Sequence, residues 1–588
     1  MIHTSAAALE LRVLTSWHNA DPDLLYTTDG PSRGIFCVLC SYGVLVCSRS
    51  TNDNLNTLIR CLRAAQSSLA SDTPTSVAGF LEWAPAEAVP GVVVHGFVRS
   101  VRTMKKYTFV TLGDGSSLAA MQAVVPAELL AASAGANVGE APITNGSAVR
   151  LEGAWTPSPG AGQSHELHVT ALQVAGPSDA KTFPIQKKYQ TPEFLRTLPH
   201  LRPRIPLNTT LLRFRSDVVA SLNRFFAERA FVQTHPPLIT SSDCEGAGEV
   251  FTVTAGPSSS SSSTTTETSP DNEESHFFRS PKYLTVSTQL HLEALAQSLG
   301  NVWTLSPTFR AEANDTPRHL SEFYMLEAEM SFVDRLDGVM DLVEDMLRHV
   351  ATENRGGRPY TELVAAASSA KSKAHDNDED AVDLETRWSG LLSAAPWPRI
   401  TYAEALRILS DAPTGTFEFT PAWEMGLMTE HERYLARVVG GPEAAPVFVT
   451  HYPRASKAFY MLPTDAQGSA DASADTVDCF DLLVPEFCEI AGGSMREHRL
   501  DQLVATMRAR GMPVPAEQER HRDGEVGEAD ASSGGGNGLD WYVDLRRWGC
   551  PPHGGFGVGL DRLLCYLTGV PTVRDMVAFP RWYGRCDC

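Results

Sequence analysis

The chain reads as an α+β protein: a small β-barrel followed by a larger domain of antiparallel strands flanked by helices. Three observations predict it. Between Gly91 and Val174, short β-rich runs are separated by turn residues, among them Gly113-Asp114-Gly115. From Leu211 to Phe226, apolar residues recur at helical spacing. Further on come two strand-like runs joined by a basic loop, and a run with glycine at alternate positions that opens into an apolar helix.

A chain of 588 residues is too long for one hydrophobic core, so two or three domains with insertions are expected. Its hydrophobic content of 43% is ordinary for a globular protein. No apolar run approaches the roughly 18–20 residues that span a bilayer, so a soluble protein with no membrane partner is expected. The formal net charge of -21 argues, taken alone, against a nucleic-acid partner. Much of that acid sits in stretches such as Asp376–Asp380 and Asp523–Asp530, which read as solvated insertions, and binding depends on a local patch. The 11 cysteines are scattered and suggest a reducing compartment. Cys37 and Cys40 form a C-x-x-C with no second pair at metal-ligand spacing, so no zinc site is expected there.

Residues 1–88 form an N-terminal extension of unknown role. Arg12 stands against Glu10, Asp21 and Asp23, a poor match to an arginine-rich, acid-poor presequence. Residues 89–176 hold the five short strands, Val92–Val98, Tyr107–Leu112, Leu118–Val125, Val149–Trp155 and Glu166–Val174. That spacing suits a barrel of the oligonucleotide-binding kind, although any small barrel would read similarly. Residues 177–206 are rich in proline and basic groups and read as a hinge. The amphipathic helix then runs to about Arg229 and leads into a strand, Phe231–Ile239, containing Pro236-Pro237. The remainder, 207–588, reads as one domain interrupted near 257–275, 354–395 and 524–538 by polar or acidic tracts unable to build a core.

Three segments carry chemistry. Phe309-Arg310-Ala311-Glu312 is followed by Arg318-His319 and a returning strand through Phe323 to Glu327. Such a hairpin can present a guanidinium fork to a phosphate and an aromatic face to a base, although an ordinary hairpin with surface arginines would read the same way. Asp481 and Glu489, followed by Gly492-Gly493-Ser494-Met495-Arg496, offer the hard oxygen ligands that Mg²⁺ prefers. Gly554 to Leu564 lets a strand approach a flat ligand closely and places Arg562 in the first turn of a helix, where a cation needs an anionic partner. The stretch is neither a dinucleotide fingerprint nor a P-loop.

In this order, the segments resemble the three signature motifs of the class II aminoacyl-tRNA synthetases, from about Gly91 to Cys588. The barrel places the resemblance in subclass IIb, with the aspartyl, asparaginyl and lysyl enzymes. The resemblance implies an oligonucleotide-binding-fold barrel ahead of a class II synthetase catalytic domain. It also implies ATP as substrate, Mg²⁺ as cofactor, and a homodimer built on the motif 1 helix and strand. The amino-acid carboxylate would attack the α-phosphate, and the acyl group would pass to the 3′-terminal ribose of tRNA.

By match to the family's motifs, Arg310, Glu312 and Arg562 would be catalytic, and Arg310, Arg318, His319, Phe323 and Arg562 would bind ATP. Asp481 and Glu489 would hold the metal. Glu245, Ser287, Gln289, Glu293 and Arg496 would bind the amino acid. In the barrel, Phe109 and Gln122, with Arg99 nearby, would read the anticodon.

Within the subclass, aspartyl enzymes carry a lysine after their Ser-x-Gln motif, where this chain has Leu292 followed by Glu293. A glutamate there would accept from an asparagine amide and repel aspartate, and Arg496 would donate to the amide oxygen. The resemblance therefore points to asparagine and tRNA(Asn) as partners, with an aspartyl enzyme or a non-catalytic RNA-binding paralogue as rivals. The wording of the hairpin is similar to bacterial and organellar asparaginyl enzymes, which implies the mitochondrial matrix, with the cytoplasm as alternative.

Overall fold

The computed structural model describes residues 36–39, 45–48, 73–133, 142–160, 162–241, 249–255, 277–278, 280–371, 382–464, 475–514 and 538–588. The chain forms two compact units, Met1–Thr75 and Ser76–Cys588. In the first, β1 (Phe36–Leu39) and β2 (Leu45–Ser48) pair as an antiparallel hairpin. Cys40, and with it the C-x-x-C, lies outside the described residues.

The second unit begins earlier than the expected boundary at residue 88. Ser76 caps a short helix, Val77–Glu82, by accepting from the Gly79 N–H. Val77 and Phe80 of that helix are buried in the barrel core, Phe80 edge-on to Trp155 with ring centroids 5.4 Å apart.

The barrel is closed, in the order β3-β4-β5-β7-β6, from β3 (Val89–Thr103), β4 (Tyr107–Gly113), β5 (Met121–Pro126), β6 (Ala148–Pro157) and β7 (His165–Gly176). Val92, Val94, Val110, Leu112, Ala123 and Leu151 fill its interior, as period-two alternation dictates. Strand β3 runs well past the expected Val98, because an irregularity between Val98 and Ser100 bends it. Its first half pairs with β6 and its second with β4. Strand β5 starts at Met121, later than the expected Leu118. Ser117 and Leu118 instead turn outward and donate to the Glu362 carboxylate.

The larger domain is built on an eight-stranded sheet, order β13-β14-β15-β16-β17-β12-β11-β8. Its strands are β8 (Val232–Gln233), β11 (Val302–Phe309), β12 (Glu322–Ser331), β13 (Arg399–Thr401), β14 (Val447–Thr450), β15 (Cys479–Val484), β16 (Cys488–Met495) and β17 (His553–Gly559). The sheet is antiparallel except at its two edges, where β8 and β13 pair in parallel with β11 and β14. The expected strand Phe231–Ile239 is interrupted by its prolines. Only Val232–Gln233 joins the sheet, while β9 (Ile239–Thr240) pairs with β10 (Tyr283–Leu284).

The amphipathic helix spans Pro206–Glu228, opened by proline in its first turn. It packs Leu211, Phe214, Val218, Leu222, Phe225 and Phe226 with the Leu336–Asn354 helix in the domain's main core. The stretch 354–395, expected as an insertion, is corrected by what it buries. Helices Arg358–Lys371 and Leu384–Leu391 place Leu363, Trp388 and Leu391 in that same core, and Trp388 Nε1 donates to the Leu567 carbonyl at 3.0 Å. Its alanine and serine content disguised a core element, since a few large apolar residues at helical spacing suffice to bury one face. Residues 372–381 lie outside the described residues, as do 257–275 and, except for Gly538, 524–538. Among the described residues, no helix is long and apolar enough to cross a membrane.

Candidate active site

Strands β12, β15, β16 and β17 form the floor of a cavity of about 420 Å³. Ser287, Gln289, Arg310, Glu312, Arg318, His319, Phe323, Asp481, Glu489, Arg496 and Arg562 all line it. Residues scattered over some 275 positions are thus brought together by the pairing of β12 with β17 and of β16 with both β15 and β17.

At one end, cations gather round an aromatic face. The Arg310 guanidinium carbon lies 5.6 Å from the Phe323 ring centre, and Arg310 and His319 both face Glu312, at 3.9 and 3.5 Å. Burial, together with Arg562, Arg318 and Arg310, holds His319 below the usual imidazole range despite Glu312. Arg562 donates to the Glu489 carbonyl at 3.1 Å, which supplies the oxygen partner a cation needs in the first turn of the Leu560–Thr568 helix. Asp561, beside it, accepts from the Tyr324 N–H at 3.1 Å and pairs with Arg215, tying that turn to the hairpin. This end can bind a polyphosphate and stack a base.

Next along the floor, Asp481 and Glu489 project over a glycine. A Cβ on Gly492 would stand 3.2 Å from Glu489 Oε1 and 3.4 Å from Asp481 Oδ1, so both carboxylates reach over this glycine. Lys457 Nζ donates to Asp481 at 2.7 and 3.0 Å. A third acid, Glu432, is pushed up to about 7 by burial and by repulsion from Glu489 and Asp481. Asp481 and Glu489 are hard oxygen donors of the kind a divalent cation takes, with Lys457 already paired to Asp481. Sequence reasoning missed Lys457 and Glu432, each a single polar residue in a segment without pattern.

At the other end, the fully buried Arg496 forms a fork with Glu329, Nε to Oε1 at 3.2 Å and Nη2 to Oε2 at 3.0 Å, while Nη1 donates to Ser494 Oγ at 2.6 Å. Ser287 and the Thr288 N–H hold Glu327. A Cβ on Gly555 would collide with the Glu329 carboxylate, so the glycine-rich strand makes room for the acids of its neighbour. The alternation of Glu327 and Glu329 on an otherwise apolar strand was the signal available for them.

Glu293, expected to face the substrate, is fully buried and sits against Gln289 and Arg496, which line the cavity. Its carboxylate accepts from Tyr542 Oη at 2.7 Å, Arg546 Nη2 at 2.7 Å and Gln289 Nε2 at 3.0 Å, with His553 Nε2 at 3.2 Å. Burial opposes its ionisation, but Arg546, His553 and Arg496 outweigh that and hold it below the ordinary carboxylate range. Burial and the Glu293 charge instead push Glu329 upward against its pairing with Arg496. The ligand atoms of Glu293, Glu329 and His553 lie within 4.8 Å of one another, but two guanidiniums already occupy the carboxylates, so this cluster does not suit a metal. Glu245 lies outside the described residues.

On the barrel, Phe109 pairs in register with Arg102 and Val124, and Gln122 with Thr111, which sets Phe109, Arg102 and Gln122 on one face. Gln122 is oriented by Nε2 donating to Glu166 at 3.0 Å. Arg99 is corrected. It occupies the irregularity in β3, out of that row, and its guanidinium donates to the carbonyls of Leu118, Ala119 and Ser117 at 2.9, 3.1 and 3.1 Å. Arg102 stands directly across from Phe109.

A barrel of this order, ahead of an antiparallel sheet that gathers arginines, acids and a glycine-rich strand into one cleft, defines a class II aminoacyl-tRNA synthetase. The family model for class II tRNA synthetases (D, K and N) matches residues 191–583, and that for the OB-fold nucleic acid binding domain matches 92–175. The chain belongs to this class II synthetase family. It is 38% identical over 504 residues to the mitochondrial asparagine–tRNA ligase of Saccharomyces cerevisiae, covering 83% of this chain and 92% of the relative. It is 40% identical over 492 residues to the asparagine–tRNA ligase of Geobacter sulfurreducens, covering 83% and 94%. Among solved structures it resembles the Pyrococcus horikoshii asparaginyl-tRNA synthetase complexed with asparaginyl-adenylate, at 26% identity and a TM-score of 0.65, covering 84% and 96%.

Proposed function

We propose that this chain joins asparagine to tRNA(Asn) through an asparaginyl-adenylate. The observation that carries the reading is the continuity of one cleft, from the Arg310, Arg318 and Arg562 cations to the rigidly held Arg496. ATP would lie with its adenine on Phe323 and its phosphates against the cations, Arg310 at the α-phosphate. Asparagine would lie beyond it, with Ser287 and Gln289 at its side and Arg496 donating to its amide oxygen. The carboxylate of the amino acid then attacks the α-phosphate, and fixed charge stabilises the transition state without a covalent enzyme intermediate. Asp481 and Glu489 would hold Mg²⁺, which neutralises polyphosphate charge when bound. Phe109, Gln122 and Arg102 offer a stacking face with polar edges for an unpaired anticodon base.

Leu292, at the cavity wall where an aspartyl enzyme would need its lysine, disfavours the aspartyl reading. The presence of Arg310, Arg562, Asp481 and Glu489 in one cleft disfavours a non-catalytic paralogue. Val232 is exposed on the edge strand β8, which supports a homodimer through the motif 1 elements. Light scattering at micromolar concentration tests this, and a monomer mass would exclude it. Similarity to the yeast mitochondrial enzyme supports translation in the mitochondrial matrix. Purely cytosolic signal from a tagged chain would refute that placement.

The catalytic reading is tested by ATP–pyrophosphate exchange. Asparagine-dependent exchange is expected, falling about 10²–10³-fold in Arg562→Ala as a charge-stabilising donor is removed. Equal exchange in the variant would remove Arg562 from the mechanism.

A further inference from the structure

Beyond the Leu560–Thr568 helix, the chain returns along the loop 310–321, which carries Arg318 and His319 into the cleft. Thr572 and Val573 both donate to the Pro317 carbonyl, the hydroxyl at 3.1 Å and the backbone N–H at 3.0 Å. Arg574 Nη2 donates to the Asp315 carboxylate at 2.6 Å and to the Thr316 carbonyl at 3.0 Å. Farther along, the Arg581 carbonyl accepts from the Ser321 N–H at 2.8 Å. Asp315, Thr316 and Pro317 are thus held from outside immediately before Arg318. The Asp315 side chain is 69% exposed, so its ion pair contributes little, and the hold lies in the two carbonyls.

Arg574 is itself fixed from the other side. Asp575 accepts a fork from Arg196, Nε to Oδ1 at 3.0 Å and Nη2 to Oδ2 at 2.8 Å. The buried Arg202 donates to Asp575 at 3.2 Å and to the Arg574 carbonyl, also at 3.2 Å. Both arginines belong to the segment 177–206 that follows the barrel. A fork beside a bond to the main-chain carbonyl leaves the backbone at 574 little freedom, so its guanidinium reaches the loop from a set origin. We infer that Arg574 is a positioning residue for ATP and that Asp575, locked to Arg196 and Arg202, positions Arg574 in turn. The inference rests on the reading of the cleft's cationic end as the ATP site and deepens it. Arg574 acts on the nucleotide through the loop, by setting where Arg318 and His319 stand. A loop held before ATP arrives loses less freedom on binding it.

ATP–pyrophosphate exchange on the full chain, with ATP and asparagine varied in turn, separates this role from general support of the fold. Arg574→Ala should raise KM for ATP about tenfold and leave KM for asparagine within about twofold. Asp315→Asn should stay within about twofold of wild type for both substrates, because it removes only the exposed ion pair. Asp575→Asn keeps the shape of the side chain but weakens the fork, and it should repeat the Arg574→Ala pattern at smaller amplitude. Thr572→Val removes one of the two donors to the Pro317 carbonyl and should shift KM for ATP in the same direction.

The sharpest comparison pairs Arg574→Ala with Arg318→Ala. If Arg574 works through the loop, its loss matters less once Arg318 is gone. The double variant should then raise KM for ATP by less than the product of the single effects. Fully multiplicative effects, or an equal rise in KM for ATP and for asparagine in Arg574→Ala, would overturn the inference. Should Arg574→Ala fail to fold, Thr572→Val and Asp575→Asn decide, and a wild-type KM for ATP in both would overturn it as well. A wild-type chain without asparagine-dependent exchange would instead sink the underlying reading of the cleft, whatever the variants do.

Discussion

His553 shows how far a buried neighbourhood can move a single side chain. Burial alone would discharge it, but Cys550, Glu293 and Glu329 raise its titration to about 10. A histidine raised on folding adds stability that is fully present below its unfolded value of about 6.5 and is lost as pH rises through its folded value. The unfolding midpoint of His553→Gln should therefore lie furthest below wild type near pH 6, and the gap should narrow steadily toward pH 10. A gap that widens with pH would contradict a charged His553. At the barrel, Phe109→Ala should weaken the productive encounter with tRNA about tenfold or more, read as KM for tRNA, since an aromatic stacked on a base contributes roughly 1–3 kcal/mol. Pyrophosphate exchange without tRNA should stay unchanged. Single residues were also where sequence reasoning reached its limit. The order of motifs brought Arg310, Phe323, Asp481, Glu489 and Arg562 to one cleft as expected. It could not say that Glu293 would be held by Tyr542 and Arg546, because these partners lie some 250 residues away without any periodic signal.

At the level of elements, the strongest sequence signals were those with a long period. The 206–228 helix announced itself through seven apolar positions on one face, and the barrel strands through turn residues at regular spacing. Elements with few apolar residues were misread. The 358–371 and 384–391 helices looked like an insertion, yet they build core and junction together. Trp388 is fully enclosed, and Trp388→Ala should cost about 3–5 kcal/mol, visible as a lowered denaturation midpoint. Glu362, on the first of these helices, accepts from Ser117 and Leu118 of the barrel and from Thr210 of the long helix. Arg99 braces the same barrel loop through its carbonyls. Glu362→Ala should therefore loosen the barrel against the catalytic domain. KM for tRNA should rise severalfold, while tRNA-independent pyrophosphate exchange stays at wild-type level. Loss of both together would mean that Glu362 supports the catalytic domain alone.

For the molecule as a whole, a net charge of -21 and an RNA partner are compatible, because binding depends on a local patch, and arginines are gathered in one cleft. The fold joins two tasks in one compact unit: a barrel face with Phe109, Gln122 and Arg102, and a cleft suited to ATP and an amino acid. A barrel with an active-site cleft has its value only if one substrate engages both. The most direct measurement is steady-state charging of tRNA(Asn) and tRNA(Asp) transcripts with asparagine and with aspartate, at saturating ATP and Mg²⁺. Charging of tRNA(Asn) with asparagine, and of no other pair at a comparable rate, is the expected result. Efficient charging of tRNA(Asp) with aspartate would contradict the asparagine assignment, and no charging of either transcript would contradict the enzyme itself.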